Sequence, residues 1–366
     1  MHKNDFAPIP PMGWDSYDYY GTSINETQAK SGAHYLAEHL KPYGWEYIII
    51  GTKTFPDAAA FPSSADGAGY KPLADYIHGL GLKFGIHIST IQASCPLTAK
   101  AQLAPVVQAH YDSLLAQYAF WGVDFIQCDT DLHEIGMLSH AIKKCGRPMV
   151  LSIAVKPALL EHAWHYATHA NIWKIMEEIS DTEKDNFYEI TETFRQYELW
   201  QTHVRKGCYP DCGILPFSKM NGKSRSPETT YTKDEIQTIM TLRCLFGSPL
   251  VLGGDLHLLD NDTLKILTQQ HILPLRKPQY QPHQVYRDEN KAIWQADDIC
   301  GHEHYVALFN LSSKVQLLDV SLQDLGYYTT SARLTDVWTG NLAASRKGKI
   351  TARLRPHACI VYRVEF

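Results

Sequence analysis

Two carboxylates stand out by position. Asp129 follows the apolar run Phe125 to Cys128, and Glu178 follows the run Ile172 to Lys174. Carboxylates at the ends of two strands that meet in one cleft supply what cleavage of a glycosidic bond needs: one attacks the anomeric carbon, and the other moves a proton. A strand-end aspartate also caps the helix that follows, so position alone leaves a capping role for Asp129 open. Other groupings would do other chemistry. Cys208 with Cys212, and Cys300 with His302 and His304, each look like half of a metal site without a matching second half, and no metal is expected. Lys53 and Lys174 are the candidate Schiff-base lysines of a barrel lyase or aldolase. His87 has no carboxylate within sequence reach to orient it and reads as a hydrogen-bonded interior residue.

Such groups need a scaffold, and the chain repeats one. Met12 to Trp14, Tyr47 to Ile50, Lys83 to Ile88, Asp124 to Cys128, Met149 to Ile153, Ile172 to Lys174, Cys212 to Leu215 and Pro249 to Leu252 read as short strands. Stretches of helical spacing lie between them, the first with Ala33, Leu36, Ala37 and Leu40 on one face and Ser23 or Asn25 as its cap. Others are read around Leu73 to Leu80, from Ala99 to Tyr118, up to Cys145, from Pro157 to Tyr166, up to about His203, from Lys233 to Phe246 and from Thr263. Eight strand–helix units in about 275 residues predict a (β/α)8 barrel. In that fold the active site lies at the carboxyl ends of the strands, which selects Trp14 and Asp15, Gly51 to Lys53, Ser89, Asp129, Ser152 and Ala154, Lys174 to Glu178, Asp211 and Asp255. Asp255 reads as a cap for the turn after it. Beyond His283 short runs with partial alternation predict a small antiparallel β-sandwich domain, after a junction holding Pro274, Pro278 and Pro282. The expected domains are the barrel over 1–278 and the β domain over 279–366.

Pro10-Pro11-Met12-Gly13-Trp14-Asp15-Ser16-Tyr17 resembles the opening signature of the α-galactosidase family of retaining glycosidases, glycoside hydrolase family 27. Strings similar to the family's recur in order: Gly44-Trp45-Glu46-Tyr47-Ile48, Gly79 to Ile86, Trp121-Gly122-Val123-Asp124-Phe125, Ala170-Asn171-Ile172-Trp173-Lys174, Tyr209-Pro210-Asp211, Ser248-Pro249-Leu250 and Tyr305 to Asn310. The resemblance spans nearly the whole chain. It implies a nucleophile at Asp129 and an acid/base at Glu178, where the family usually has Asp, with Glu177 the alternative carboxylate. Together with the strand-end positions it gives Trp14, Asp15, Gln127, Ser152, Trp173, Lys174 and Asp211 as substrate contacts, and it requires no cofactor.

The departures fall where the family grips its sugar. The paired aspartates that hold sugar hydroxyls after the second strand are Gly51 and Thr52 here. The lysine two before the nucleophile is Gln127, the arginine before the acid/base is Lys174, and a second aspartate after Asp211 is Gly213. Lysine lacks the bidentate fork of arginine, and losing acceptor carboxylates leaves a galactose 4- and 6-hydroxyl without those partners. The loop Ser89 to Pro96 is short beside the family's.

The composition fits a globular enzyme, with 45% apolar and 20% charged residues. With 34 basic against 39 acidic residues and no dense Lys/Arg run, no nucleic-acid partner is expected. No apolar run reaches the length of a signal peptide or a membrane span, and the sparse cysteines suit a reducing cytoplasm. The expectation is a cytoplasmic retaining glycosidase acting on an oligosaccharide or glycoside. The rival is a carbohydrate-binding relative with weakened catalysis. The sequence does not fix an oligomeric state.

Overall fold

The computed structural model describes residues 2–88, 100–154, 156–176, 186–215, 217 and 231–366. The chain forms two compact units that interleave: Met1–Thr182, Arg205–Thr229 and Pro249–Leu259 make one, and Glu183–Val204, Thr230–Ser248 and Asp260–Phe366 make the other. The sequence reading divides the chain once, at residue 278.

The first unit carries eight parallel strands: β1 (Met12–Asp15), β2 (Tyr47–Gly51), β3 (Lys83–Ile88), β4 (Phe125–Cys128), β5 (Val150–Ile153), β6 (Ile172–Lys174), β7 (Tyr209–Asp211) and β8 (Leu250–Leu252). Their order is β7-β6-β5-β4-β3-β2-β1-β8, and Leu215, just past β7, bridges Leu252 in parallel, so the sheet curls into the predicted barrel. Every residue of β1, β2, β5 and β8 is buried, which is why these strands read as unbroken apolar runs.

Helices of this unit are α1 (Tyr17–Tyr20), α2 (Glu26–His39), α3 (Lys71–Gly79), α4 (Lys100–Trp121), α5 (Leu132–Cys145) and α6 (Ala163–His169). Asn25 starts α2 with a capping box: its side chain accepts from the Gln28 amide at 2.9 Å while Gln28 accepts from the Asn25 amide at 2.9 Å. Ala29, Ala33 and Leu36 then bury one stripe of α2. Gly32 lets the Trp14 ring lie flat on the helix, since a Cβ there would stand 2.5 Å from a ring carbon. The Trp14 indole donates to the Gly254 carbonyl at 2.7 Å.

The second unit holds α7 (Asn186–Trp200), α8 (Lys233–Phe246), α9 (Asn261–Leu267) and two antiparallel sheets. The strands are β9 (Tyr280–Arg287), β10 (Lys291–Asp298), β11 (His304–Asn310), β12 (Gln316–Ser321), β13 (Arg333–Asp336), β14 (Leu342–Ala344), β15 (Lys349–Leu354) and β16 (Cys359–Glu365). Six of them order as β14-β13-β16-β11-β10-β9 and two pair as β12-β15. Val306, Leu308 and Val364 of the larger sheet share one core with Leu318, Val320 and Ile350 of the smaller, which makes the sandwich. Tyr197 of α7 stacks on Phe246 of α8 at 3.6 Å between centroids.

Three expectations shift. The seventh strand is Tyr209–Asp211 rather than Cys212 to Leu215. The stretch from Pro157 turns helical only at a 3-10 turn over Leu160–His162, because the Ala158 amide bonds the Lys174 carbonyl at 2.8 Å instead of starting a helix. The proline-bearing junction is partly β9, where Pro282 is tolerated because β9 is an edge strand. Among the described residues, no helix is long and apolar enough to cross a membrane.

The Trp14–Gly32 contact is testable. Gly32→Ala places a methyl inside the indole ring's space, and overpacking of this kind costs about 1–3 kcal/mol. Thermal unfolding should show a lower midpoint than wild type, whereas alanine at the uncrowded helical Gly79 should leave it unchanged or raised.

Candidate active site

The corner formed by β1, β2 and β3 is built around a buried ion pair. Asp15 ends β1, Gly51 ends β2, and His87 is the penultimate residue of β3. Asp15 and His87 meet across β2, with His87 Nδ1 donating to Asp15 Oδ2 at 2.9 Å. Residue 51, on the strand between them, has no side chain: a Cβ there would lie 2.6 Å from the Gly21 carbonyl oxygen and 2.7 Å from the Tyr17 ring. The other Asp15 oxygen accepts from the Tyr17 amide at 2.9 Å, and the Ser16 hydroxyl accepts from the Gly51 amide at 2.8 Å. Both carboxyl oxygens of a side chain only 1% exposed are thereby bonded. The Tyr17 ring lies over His87 with centroids 4.5 Å apart. Burial alone would push the His87 pKa down, but Asp15, Asp129 and Asp18 together outweigh it and hold the pKa above its ordinary value.

Register places the remaining candidates. His87 pairs with Gln127 on β4, and Gln127 with Ser152 on β5. In-register residues of parallel strands project to one face, so His87, Gln127 and Ser152 line the same side. Gln127 Nε2 stands 3.4 Å from His87 Nδ1. Asp129, two residues past Gln127, still donates its amide to the Ile88 carbonyl at 3.3 Å, which continues the pairing and sets its side chain on that face. The capping role left open for Asp129 belongs to Asp131, whose side chain accepts from the Glu134 amide at 3.2 Å to start α5. Lys174 pairs with Asp211 at the ends of β6 and β7, and Asp211 Oδ1 accepts from the Gly213 amide at 3.1 Å. Thr52, buried, shares a short hydrogen bond with the Tyr70 hydroxyl.

The two tryptophans go elsewhere. Trp14 packs on α2, and Trp173, fully buried, stacks on Tyr166 of α6 at 6.0 Å between centroids. Each occupies the opposite strand face from the residue beside it, so the two are packing residues and not the substrate contacts expected of them. Asp255 accepts from the His257 amide at 3.0 Å, as a cap does. Ser89, Glu177 and Glu178 lie outside the described residues. The sequence reading missed Tyr17 and gave His87 no partner. The available signal was the two-residue spacing of Asp15 and Tyr17, which lets one carboxylate bond the amide that begins α1.

Among the described residues, one group of possible metal ligands converges: Asp298, Cys300 and His302, with ligand atoms within 4.8 Å of one another. It sits on the turn between β10 and β11. His304, expected beside Cys300, instead bonds Asp297 at 2.9 Å.

Comparison with known proteins decides the family. The family model described as "Alpha galactosidase A" matches residues 10–277, and that described as "Alpha galactosidase C-terminal beta sandwich domain" matches residues 288–364. The chain belongs to the α-galactosidase family, glycoside hydrolase family 27. It is therefore grouped with retaining glycoside hydrolases. It is 33% identical to a family 27 β-L-arabinopyranosidase of Geobacillus stearothermophilus, whose crystal structure it matches over 100% of this chain and 98% of that one with a TM-score of 0.90. An α-galactosidase of Cyamopsis tetragonoloba is 24% identical over 99% of this chain and 87% of its own length. α-Galactosidase I of Mortierella vinacea shares the fold, with a TM-score of 0.81 at 19% identity over 99% of this chain and 98% of that one.

The Asp15–His87 pair makes stability depend on pH. Because the folded-state pKa of His87 is raised, its contribution is full below the unfolded value of about 6.5 and is lost as pH rises through the folded value. Asp15→Asn should therefore lower the melting temperature most at about pH 5.5 to 6.5, and the gap to wild type should narrow toward pH 9. Thermal melts of both proteins across that range are the check, and a gap independent of pH would contradict the pairing.

Proposed function

We propose that the enzyme cleaves terminal β-L-arabinopyranosides in preference to α-D-galactosides. The observation that carries this is the closed space at residue 51, where Gly21 and Tyr17 occupy the volume a carboxylate would need. The neighbouring Thr52 is neutral and already bonded to Tyr70. β-L-Arabinopyranose has the ring configuration of α-D-galactopyranose without the C6 hydroxymethyl, so it asks for one hydroxyl acceptor fewer. A site lacking a partner for a hydroxyl discriminates against the sugar that carries it. The resemblance to the Geobacillus arabinopyranosidase supports the same reading.

In this proposal Asp129 attacks the anomeric carbon and Glu178 protonates the departing glycosidic oxygen. Glu178 then takes a proton from the water that cleaves the glycosyl–Asp129 ester, releasing the sugar with its anomeric configuration retained. The helix after β4 is capped by Asp131, not by Asp129. Gln127, Ser152, Lys174 and Asp211 are the proposed sugar-facing residues, with Asp15 acting through His87 and Tyr17. The seven described cysteines are all free thiols, which supports placing the enzyme in the cytoplasm.

A panel of nitrophenyl glycosides tests the substrate. The β-L-arabinopyranoside should be cleaved with a kcat/KM at least about tenfold above that of the α-D-galactoside. An α-galactoside efficiency of about 10⁴ M⁻¹s⁻¹ or more, matching or exceeding the arabinoside's, would overturn the assignment. Asp129→Ala should abolish turnover of every glycoside. Glu178→Ala should still cleave those with activated leaving groups, with azide restoring turnover by attacking the glycosyl-enzyme. Azide rescue confined to Glu177→Ala would move the acid/base one residue back.

A further inference from the structure

The strand that carries Asp129 has a neutral residue, Gln127, at the position where the family pattern has lysine. The carboxylate-rich corner beside it nevertheless contains a basic group, supplied by the neighbouring strand. His87 is buried, faces the same side as Gln127 and Asp129, and is bonded through Nδ1 to Asp15. Nε2 of His87 has no hydrogen-bond partner among the described residues. Among the described residues, the charged groups acting on the ring are the acids Asp15 at the end of β1, Asp18 in α1 and Asp129 past β4, and Gly51 of β2 pairs with His87. The Tyr17 ring covers one side and Gln127 the other edge.

We infer that His87, bonded through Nδ1 to Asp15, is a positioning cation for the Asp129 carboxylate, replacing on β3 the charge that β4 lacks. This rests on the reading of Asp129 as nucleophile. Physically, a cation in a poorly solvated corner keeps the adjacent carboxylate ionised and oriented for attack. Asp15 supplies the counter-charge that makes a buried imidazolium tolerable, and its second bond to the Tyr17 amide fixes its own direction. Loss of the proton from His87 as pH rises would remove that positive charge from beside Asp129, so glycosylation should slow on the alkaline side.

The test separates this alkaline loss from deprotonation of the acid/base. 2,4-Dinitrophenyl β-L-arabinopyranoside and the matching α-D-galactopyranoside need no proton on the leaving group, so in a Glu178→Ala background their kcat/KM does not report the acid. That variant should still lose kcat/KM as pH rises. Adding His87→Gln should remove the alkaline fall and lower kcat/KM at pH 6 by roughly tenfold or more, while His87→Lys should restore activity and push the fall to higher pH. Where His87→Gln does not fold, as judged by its melting curve, the His87→Lys profile decides alone: a fall displaced upward supports the inference, and an unmoved one overturns it. A His87→Gln enzyme with unchanged kcat/KM and unchanged alkaline fall, alongside an inactive Asp129→Ala enzyme, overturns the inference and leaves the nucleophile reading intact. Turnover by Asp129→Ala removes both.

Discussion

Burying a carboxyl group is costly unless its oxygens find partners, and the geometry of the β1–β3 corner follows from how Asp15 finds its two. One oxygen takes the His87 ring across β2, and the other takes the amide that opens α1. Residue 51, on the strand that the first bond crosses, has no side chain. The second folds Tyr17 and Gly21 over that same residue, so that none can be added. The glycine, the short helix and the ion pair are thus one arrangement. A carboxylate restored at residue 51 would collide with the segment that Asp15 holds down, so the substrate-gripping group could not return without displacing α1. Pocket chemistry and loop conformation are coupled here through a single buried acid.

The barrel strands were legible because strands covered on both faces read as apolar runs, and Tyr47–Gly51 and Phe125–Cys128 are such runs. β7 was displaced in the reading because Tyr-Pro-Asp carries no run at all; its pairing comes from neighbours, with the Tyr209 amide bonding the Asn171 carbonyl at 2.8 Å. β15 carries no apolar run although its burial alternates strictly, since only Ile350, Ala352 and Leu354 mark its inner face and threonine, lysine and arginine fill the rest. The site shows the same division. Asp129 was placed by following a strand to its end, which needs only the strand's bounds. Trp14 and Trp173 were misjudged because the face of each depends on parity: adjacent residues of a strand point opposite ways, so Trp14 and Asp15 could not both face inward. The partner of His87 was invisible because it lies on a strand two places away in the sheet, at the far end of a long sequence separation.

Gln127, Lys174 and Gly213 look like losses when each is compared with the family pattern position by position. In space the corner is rebuilt rather than emptied. It holds the Asp15 carboxylate and the His87 imidazole while lacking the family pattern's carboxylates after β2 and its charge on β4. Electrostatics acts over distance and direction, not over alignment columns, so a charge on β3 can act on Asp129 as one on β4 would. An imidazole is also smaller and flatter than a lysine side chain and is fixed by its own hydrogen bond, so it gives up less conformational freedom when it holds its position. Drift at individual positions is therefore weak evidence for lost catalysis here, because the groups that matter can move between adjacent strands of a parallel barrel. The in-register line from His87 through Gln127 to Ser152 is the path along which such an exchange leaves the fold undisturbed.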